Sequence, residues 1–279
     1  MNDKGIIFAA GAPICPMFCI AHYLKDLHTD ACQIMQSTHA LSSQPVGIPS
    51  ADKALFNMQH ILFDLDGTLI DHFTTIHKSV AYAQSQLGLP ESDYATVRKT
   101  VGGSVPVTLG KLCGEENVEA ALPLYHEHFD SIMYDDVFAL PGAAWILEML
   151  HNKGHKLGVF TNKHVEHSKD TLKHLGLDQF LDAIIGTGEG GYTFRKPDPE
   201  FTMHALGVMD CASDEAIMIG DSPYDLAAAE AGCISCYLVA TGSHSSEQLS
   251  EVLVEERIYI DLYELGEKLF NLKPNSVGP

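Results

Sequence analysis

A chain of 279 residues, 46% of them hydrophobic, is long enough for one large or two modest domains around a sizeable core. Its 17 lysines and arginines stand against 37 aspartates and glutamates, and the formal charge of −20 has the wrong sign for a phosphate backbone, so no nucleic-acid function is predicted. Such a protein still binds a small anion where a metal ion, one lysine and backbone N–H groups gather positive potential locally.

Residues 1–57 read as an N-terminal extension, disordered or accessory. The stretch Gly5–Ala21 is uncharged, but it is short for a membrane span and broken by Pro13 and Pro16, and Lys4 ahead of it gives only a faint likeness to a signal peptide. His22–Asn57 is polar and carries Pro45, Gly47 and Pro49, the pattern of a linker, and Met58 is a second candidate start. No membrane association is expected. Cys15, Cys19, Cys32, Cys113, Cys211, Cys233 and Cys236 are odd in number and scattered, which predicts reduced thiols and a cytoplasmic setting.

The apolar run His60-Ile61-Leu62 predicts a buried strand leading into Phe63-Asp64-Leu65-Asp66-Gly67-Thr68-Leu69. Gly67 and Thr68 mark a turn that curls Asp64 and Asp66 towards one point, and like charges held that close call for a cation or a proton between them. Taken alone, the tetrapeptide is equally a polar turn. From His72 to Ala139 the spacing is helical: Ile76, Val80, Ala83 and Leu87 recur at threes and fours until Gly88 and Pro90 stop the run. Further helices are predicted at Asp93–Thr100, Pro106–Cys113 and Glu116–Tyr134. An all-helical insert after a first strand reads as a lid.

From Pro141 short apolar strands alternate with helices. Strands are predicted at Lys156–Phe160, Ala183–Ile185, Ala216–Ile219, Ser235–Val239 and Arg257–Ile260, and helices end at Asn152, Leu175 and Ala231, with others starting at Pro199 and Asp261. This alternation implies an α/β fold, a doubly wound, Rossmann-like parallel sheet.

Ligands of such sheets bind at the carboxyl ends of the strands. Those ends deliver Asp64 and Asp66, then Thr161 and Asn162, then Asp221, Ser222 and Asp225, while Lys196 precedes the helix opened by Pro199. A nucleophile or metal ligand, an acid/base, a hydroxyl, a fixed cation and further carboxylates together suit phosphoryl transfer. The oxygen-rich carboxylate set favours Mg²⁺.

The ordered motifs Asp64-Leu65-Asp66-Gly67-Thr68, Thr161-Asn162, Lys196-Pro197-Asp198-Pro199 and Gly220-Asp221-Ser222-x-x-Asp225 resemble the four motifs of the haloacid dehalogenase superfamily, over residues 60 to about 243. Thr161-Asn162-Lys163 with Arg98-Lys99-Thr100-Val101-Gly102 resembles its phosphoglycolate phosphatase branch. The resemblance implies a core of residues 58–71 and 140–271, a helical C1 cap at 72–139 and a tail at 272–279. It implies a phosphatase in which Asp64 attacks phosphorus and Asp66 serves as acid and then base. Thr161 and Lys196 are the other catalytic residues, and Gly67, Thr68, Thr161, Asn162 and Lys196 bind phosphate. Mg²⁺ is expected on Asp64, the backbone of Asp66 and Asp221, with Asp225 as ligand, supporting partner or helix-cap charge. Asp66 two residues after the nucleophile suits expulsion of an alkoxide and disfavours dehalogenation; His72, where relatives often carry Ser, departs from the pattern.

The leading substrate is 2-phosphoglycolate, and the expected partner is a small phosphorylated metabolite acted on by a monomer or homodimer. Rivals are a sugar-phosphate phosphatase, a β-phosphoglucomutase-like phosphomutase, an inorganic pyrophosphatase and a catalytically silent binding protein of the same fold. Arg98, Lys99 and Lys111 are candidate substrate cations and more simply surface charges. Gly186-x-Gly188-x-x-Gly191 lacks the helix a dinucleotide fingerprint needs, Cys233-x-x-Cys236 lacks a second pair, and His126, His128, His164 and His167 read as helix-surface residues.

Overall fold

A computed structural model of the chain describes residues 59–188, 190 and 193–273; the expectations for residues 1–57 and for the end of the tail lie outside them. Six parallel strands form one sheet: β1 (His60–Phe63), β4 (Lys156–His164), β5 (Ala183–Thr187), β6 (Ala216–Gly220), β7 (Ser235–Val239) and β8 (Ile258–Tyr259). Their order is β5-β4-β1-β6-β7-β8. The remaining two, β2 (Ile70–Asp71) and β3 (Phe138–Ala139), pair antiparallel beside it.

Strand β1 sits centrally, with Leu62 opposite Gly158 on one side and Met218 on the other. The chain leaves β1 for β4 on one flank and later fills β6, β7 and β8 on the other. That reversal opens a crevice beyond the carboxyl ends of β4, β1 and β6. Both faces of the sheet are buried, as parallel sheets require. Leu62, Phe160, Met218 and Leu238 pack with residues of α7 (Pro199–Met209) and α8 (Pro223–Ala231). The alternate residues Ile61, Phe63, Leu157, Val159, Ile217 and Ile219 turn to the other face and are equally shut off from water. Helices α5 (Ala143–Asn152), α6 (Val165–His174), α9 (Ser246–Ser250) and α10 (Leu262–Phe270) complete the layers.

Between β2 and β3 run four helices, α1 (Phe73–Gln86), α2 (Tyr94–Thr100), α3 (Val105–Cys113) and α4 (Val118–Ile132). Their apolar faces meet in a core of their own, with Phe73, Ile76, Val80, Val97, Leu109, Tyr125 and Phe129 buried. Asp93 caps α2 by accepting from Thr96 N, and Pro106 occupies the first turn of α3, where no backbone donor is lost.

Three features differ from the sequence reading, the first being α9 (Ser246–Ser250), where no helix was expected. β4 continues past Phe160 to His164 with an irregularity between those residues, so Thr161, Asn162 and Lys163 lie within a bulged strand end instead of beyond it. The β2–β3 pair was not expected, because two residues a side are too few to show a period.

Candidate active site

Asp64 is the first residue beyond β1, and its N–H donates to Ile219 O at 2.8 Å, extending the ladder towards β6. The chain then turns tightly: Leu69 and Ile70 donate to Leu65 O, and Gly67 donates to Ile70 O at 2.8 Å. Gly67 sits at φ +92°, and a Cβ there would lie 2.8 Å from Asp221 Oδ2, so the turn needs glycine both for its backbone and for its nearness to the acidic residues. The Thr68 amide reaches Leu65 O at 3.3 Å, and its hydroxyl is buried without a hydrogen-bond partner. Gly67 and Thr68, expected at the phosphate, engage their amides inside the turn.

Lys196 is the fixed cation. Its ammonium, 1% exposed, donates to Asp64 Oδ1 at 2.7 Å, Asp225 Oδ1 at 2.6 Å and Phe160 O at 2.9 Å. The two carboxylates outweigh burial and push the lysine pKa up, so it stays charged. Asn162 holds the lysine backbone from both sides, accepting from Lys196 N at 2.7 Å and donating to Lys196 O at 3.1 Å. The same amide nitrogen donates to Gly102 O at 3.0 Å. The Asn162 side chain thus clamps the Lys196 backbone. Thr161 is 2% exposed, and its hydroxyl accepts from Lys163 N at 3.2 Å.

Asp64, Asp221 and Asp225 each offer an oxygen, all within 4.8 Å of one another. Burial foremost raises the Asp64 pKa to about 6, with Asp225 and Asp66 adding to the rise and Lys196 opposing it. Burial, then Asp225 and Asp64, hold Asp221 well above the usual carboxylate range. Three buried carboxylates around one ammonium are an uncompensated negative centre.

Asp225 behaves differently from the other two. It closes a capping box at the start of α8, its Oδ2 accepting from Asp221 N at 3.1 Å, Ser222 N at 3.0 Å and Ser222 Oγ at 2.7 Å, while Oδ1 takes Lys196. Both oxygens are engaged by donors, Oδ1 by Lys196 and Oδ2 by Asp221 N and Ser222.

Asp66 stands on the other side of Asp64, gripped by Lys163 Nζ at 3.2 and 3.1 Å. The Lys163 ammonium also lies 4.9 Å above the Phe129 ring of α4. His72, wholly buried, binds Met133 O through Nε2 at 2.8 Å and places Nδ1 3.8 Å from Asp66 Oδ1. Burial and Lys163 lower its pKa to about 3, so the imidazole is neutral.

A cavity of about 40 Å³ opens beside Asp66, Asn162 and Lys163 and is roofed by Ile76, Val101 and Tyr125. Of the proposed substrate cations, Arg98 donates to Gly242 O at 3.1 Å and Thr241 O at 3.0 Å, Lys111 donates to Tyr224 Oη at 3.2 Å, and Lys99 is exposed. Of the histidines expected on helix surfaces, His167 of α6 bonds Asp130 of α4 at 2.9 Å and His128 stacks on Tyr82, while His164 is exposed at the end of β4.

Sequence reasoning missed the loop after β7. Ser243 donates to Asp221 Oδ2 through N at 2.8 Å and Oγ at 2.9 Å. A Cβ on Gly242 would stand 1.9 Å from that same oxygen. The strand-end rule pointed there too, had it been applied to Val239 as it was to Phe63 and Gly220.

The fold and this strand-end constellation define a hydrolase of one family: residues 61–239 match the model described as haloacid dehalogenase-like hydrolase, and the chain belongs to that family. Within it the chain is a phosphatase-type enzyme, phosphoglycolate phosphatase-like in sequence. It is 34% identical over 175 residues to a phosphoglycolate phosphatase of Aquifex aeolicus, covering 61% of this chain and 79% of that one. It is 30% identical over 198 residues to a 5'-nucleotidase of Pseudomonas aeruginosa, covering 70% and 89%. Among solved structures, a predicted phosphatase from Clostridium acetobutylicum superimposes with a TM-score of 0.70 at 29% identity, covering 77% of this chain and 99% of that one.

Proposed function

We propose that the protein is a Mg²⁺-dependent phosphatase of small phosphomonoesters, with 2-phosphoglycolate as the leading substrate, working through an aspartyl phosphate on Asp64. The observation that carries this reading is the buried cluster of Asp64, Asp221 and Asp225 against the single ammonium of Lys196. Its oxygen donors fit a hard divalent cation: the carboxylates of Asp64 and Asp221 and the backbone carbonyl of Asp66 would hold Mg²⁺, which would neutralise charge on the phosphoryl oxygens. Asp225 stays with Lys196.

An Asp64 oxygen attacks phosphorus as the bond from phosphorus to the ester oxygen breaks, and Asp66 gives that oxygen its proton. Asp66 then takes a proton from water as the water oxygen attacks the aspartyl phosphate, releasing inorganic phosphate and regenerating Asp64. Lys196 and the Thr161 hydroxyl stabilise the phosphoryl charge throughout. Residues 58–71 and 140–271 serve as the catalytic core, and residues 72–139 cap it. The cavity beside Asp66, Asn162 and Lys163 would receive the leaving group. The buried Cys113 and Cys236 thiols accord with a cytoplasmic setting.

The test is a panel of 2-phosphoglycolate, sugar phosphates, nucleoside monophosphates and pyrophosphate, run on the full chain with Mg²⁺ and with EDTA. Highest kcat/KM on a two- or three-carbon ester, lost with EDTA, is expected; turnover indifferent to EDTA, or confined to pyrophosphate, would contradict it.

A further inference from the structure

The loop after β7 shapes the acid centre, and a side chain of the helical cap holds that loop. Resting on the role proposed for Asp221, we propose that Arg98 of α2 is a latch, its guanidinium fork coupling closure of the cap to the loop that orients Asp221. Arg98 is then a positioning residue and makes no contact with substrate.

The fork grips consecutive carbonyls of the loop, Nε donating to Gly242 O at 3.1 Å and Nη2 to Thr241 O at 3.0 Å. The guanidinium also lies over the Phe73 ring, 5.1 Å from its centroid. Phe73 opens α1 and is 1% exposed, so the cation rests on a fixed aromatic face where the chain enters the cap. A lysine ammonium, compact and without a planar fork, does not reproduce this geometry.

The gripped loop in turn holds the acid centre. Thr241 Oγ1 donates to Gly67 O at 2.7 Å, tying the loop to the turn after β1. Gly242 lies so close to Asp221 that a Cβ does not fit, and Ser243 gives its N–H and its hydroxyl to Asp221 Oδ2 at 2.8 and 2.9 Å. The loop thus joins a cap side chain to a core carboxylate. Movement of α2 away from the sheet breaks both guanidinium bonds and removes the anchor that aims the Ser243 donors. The turn after α2 bears on the opposite flank in the same way, Gly102 O accepting at 3.0 Å from the Asn162 amide that clamps Lys196. Coupling is reciprocal, so disturbing the loop loosens α2 as freeing α2 loosens the loop.

Hydrogen exchange of backbone amides, read on the full chain in EDTA, tests the latch without turnover. In Arg98→Gln, exchange at the Ser243 amide is expected to rise about tenfold or more, and Arg98→Lys, which keeps the charge and loses the fork, is expected to follow it. In the reciprocal experiment Gly242→Ala, with Arg98 native, speeds exchange in α2, and it adds nothing once Arg98→Gln is present. Unchanged Ser243 exchange in Arg98→Gln, native-like exchange in Arg98→Lys, or an α2 indifferent to Gly242→Ala overturns the proposal. With Mg²⁺, kcat of Arg98→Gln falls on 2-phosphoglycolate and on 4-nitrophenyl phosphate alike, their ratio staying within about threefold of the native protein. A loss confined to 2-phosphoglycolate would make Arg98 a contact to the substrate carboxylate and overturn the latch. Should the native protein turn over neither ester, the phosphatase reading fails instead, while the exchange data still report on Arg98.

Discussion

At the scale of single residues, the site stores negative charge that the fold alone does not balance. Asp64 has its pKa raised from 3.8 to about 6, so the folded protein holds this proton more tightly than the unfolded chain does. The contribution to stability is fully present below the unfolded value and is lost as pH rises through about 6. Asp64→Asn, which cannot ionise, escapes that loss. In EDTA its melting temperature is expected to match that of the native protein near pH 4 and to exceed it near pH 8; scanning calorimetry across that range checks this, and Mg²⁺ should close the gap at high pH. The proposed roles of Asp64, Asp66, Lys196 and Asp221 were legible because residue type and strand-end position constrain them together. Asn162 and Asp225 were less so: nothing in the sequence says that Asn162 clamps the Lys196 backbone, or that both Asp225 oxygens are taken by donors on α8 and by Lys196.

At the scale of elements, three strand ends, the segment carrying Lys196 ahead of α7 and the loop after β7 build the centre. The strand ends bring carboxylates after β1, the Thr161 hydroxyl from the bulged end of β4 and a further carboxylate, Asp221, after β6. The loop after β7 presses Gly242 against Asp221 and lets Ser243 orient the carboxylate, while Arg98 of α2 donates to the Gly242 carbonyl. A side chain at Gly242 must displace Asp221 or the loop. Gly242→Ala is expected to weaken the dependence of activity on Mg²⁺, raising the half-saturating concentration about tenfold or more, as a displaced ligand does. Titration of activity with Mg²⁺ reads this, and a native-like curve would show the loop free to yield. Strands and helices with clear periods were predicted within a residue or two; the β2–β3 pair and the extension of β4 to His164 were not, since two-residue strands carry no period and a bulge breaks one.

At the scale of the whole molecule, the order of strands explains why residues as distant as Asp64, Thr161, Lys196 and Asp221 meet. β1 lies at the reversal of the sheet, flanked by β4 and β6, and the crevice that results is where the chemistry gathers. The helices between β2 and β3 close over it from the side of Asp66, through Phe129 on Lys163 and Gly102 on Asn162. Among the described residues no helix is long and apolar enough to cross a membrane. The overall acidity of the chain does not prevent anion binding, because Lys196 and the expected cation act at close range where burial strengthens them. Class and topology were readable from alternation of strand and helix; the occupant of the small cavity was not, because it depends on side chains from helices whose packing no local pattern fixes. The central claim is that Asp64 is the nucleophile. Its most direct test is kcat on 2-phosphoglycolate and 4-nitrophenyl phosphate with saturating Mg²⁺ for the native protein and Asp64→Asn: a loss of about a thousandfold or more on both esters is predicted, and retention of native turnover on either would contradict the account.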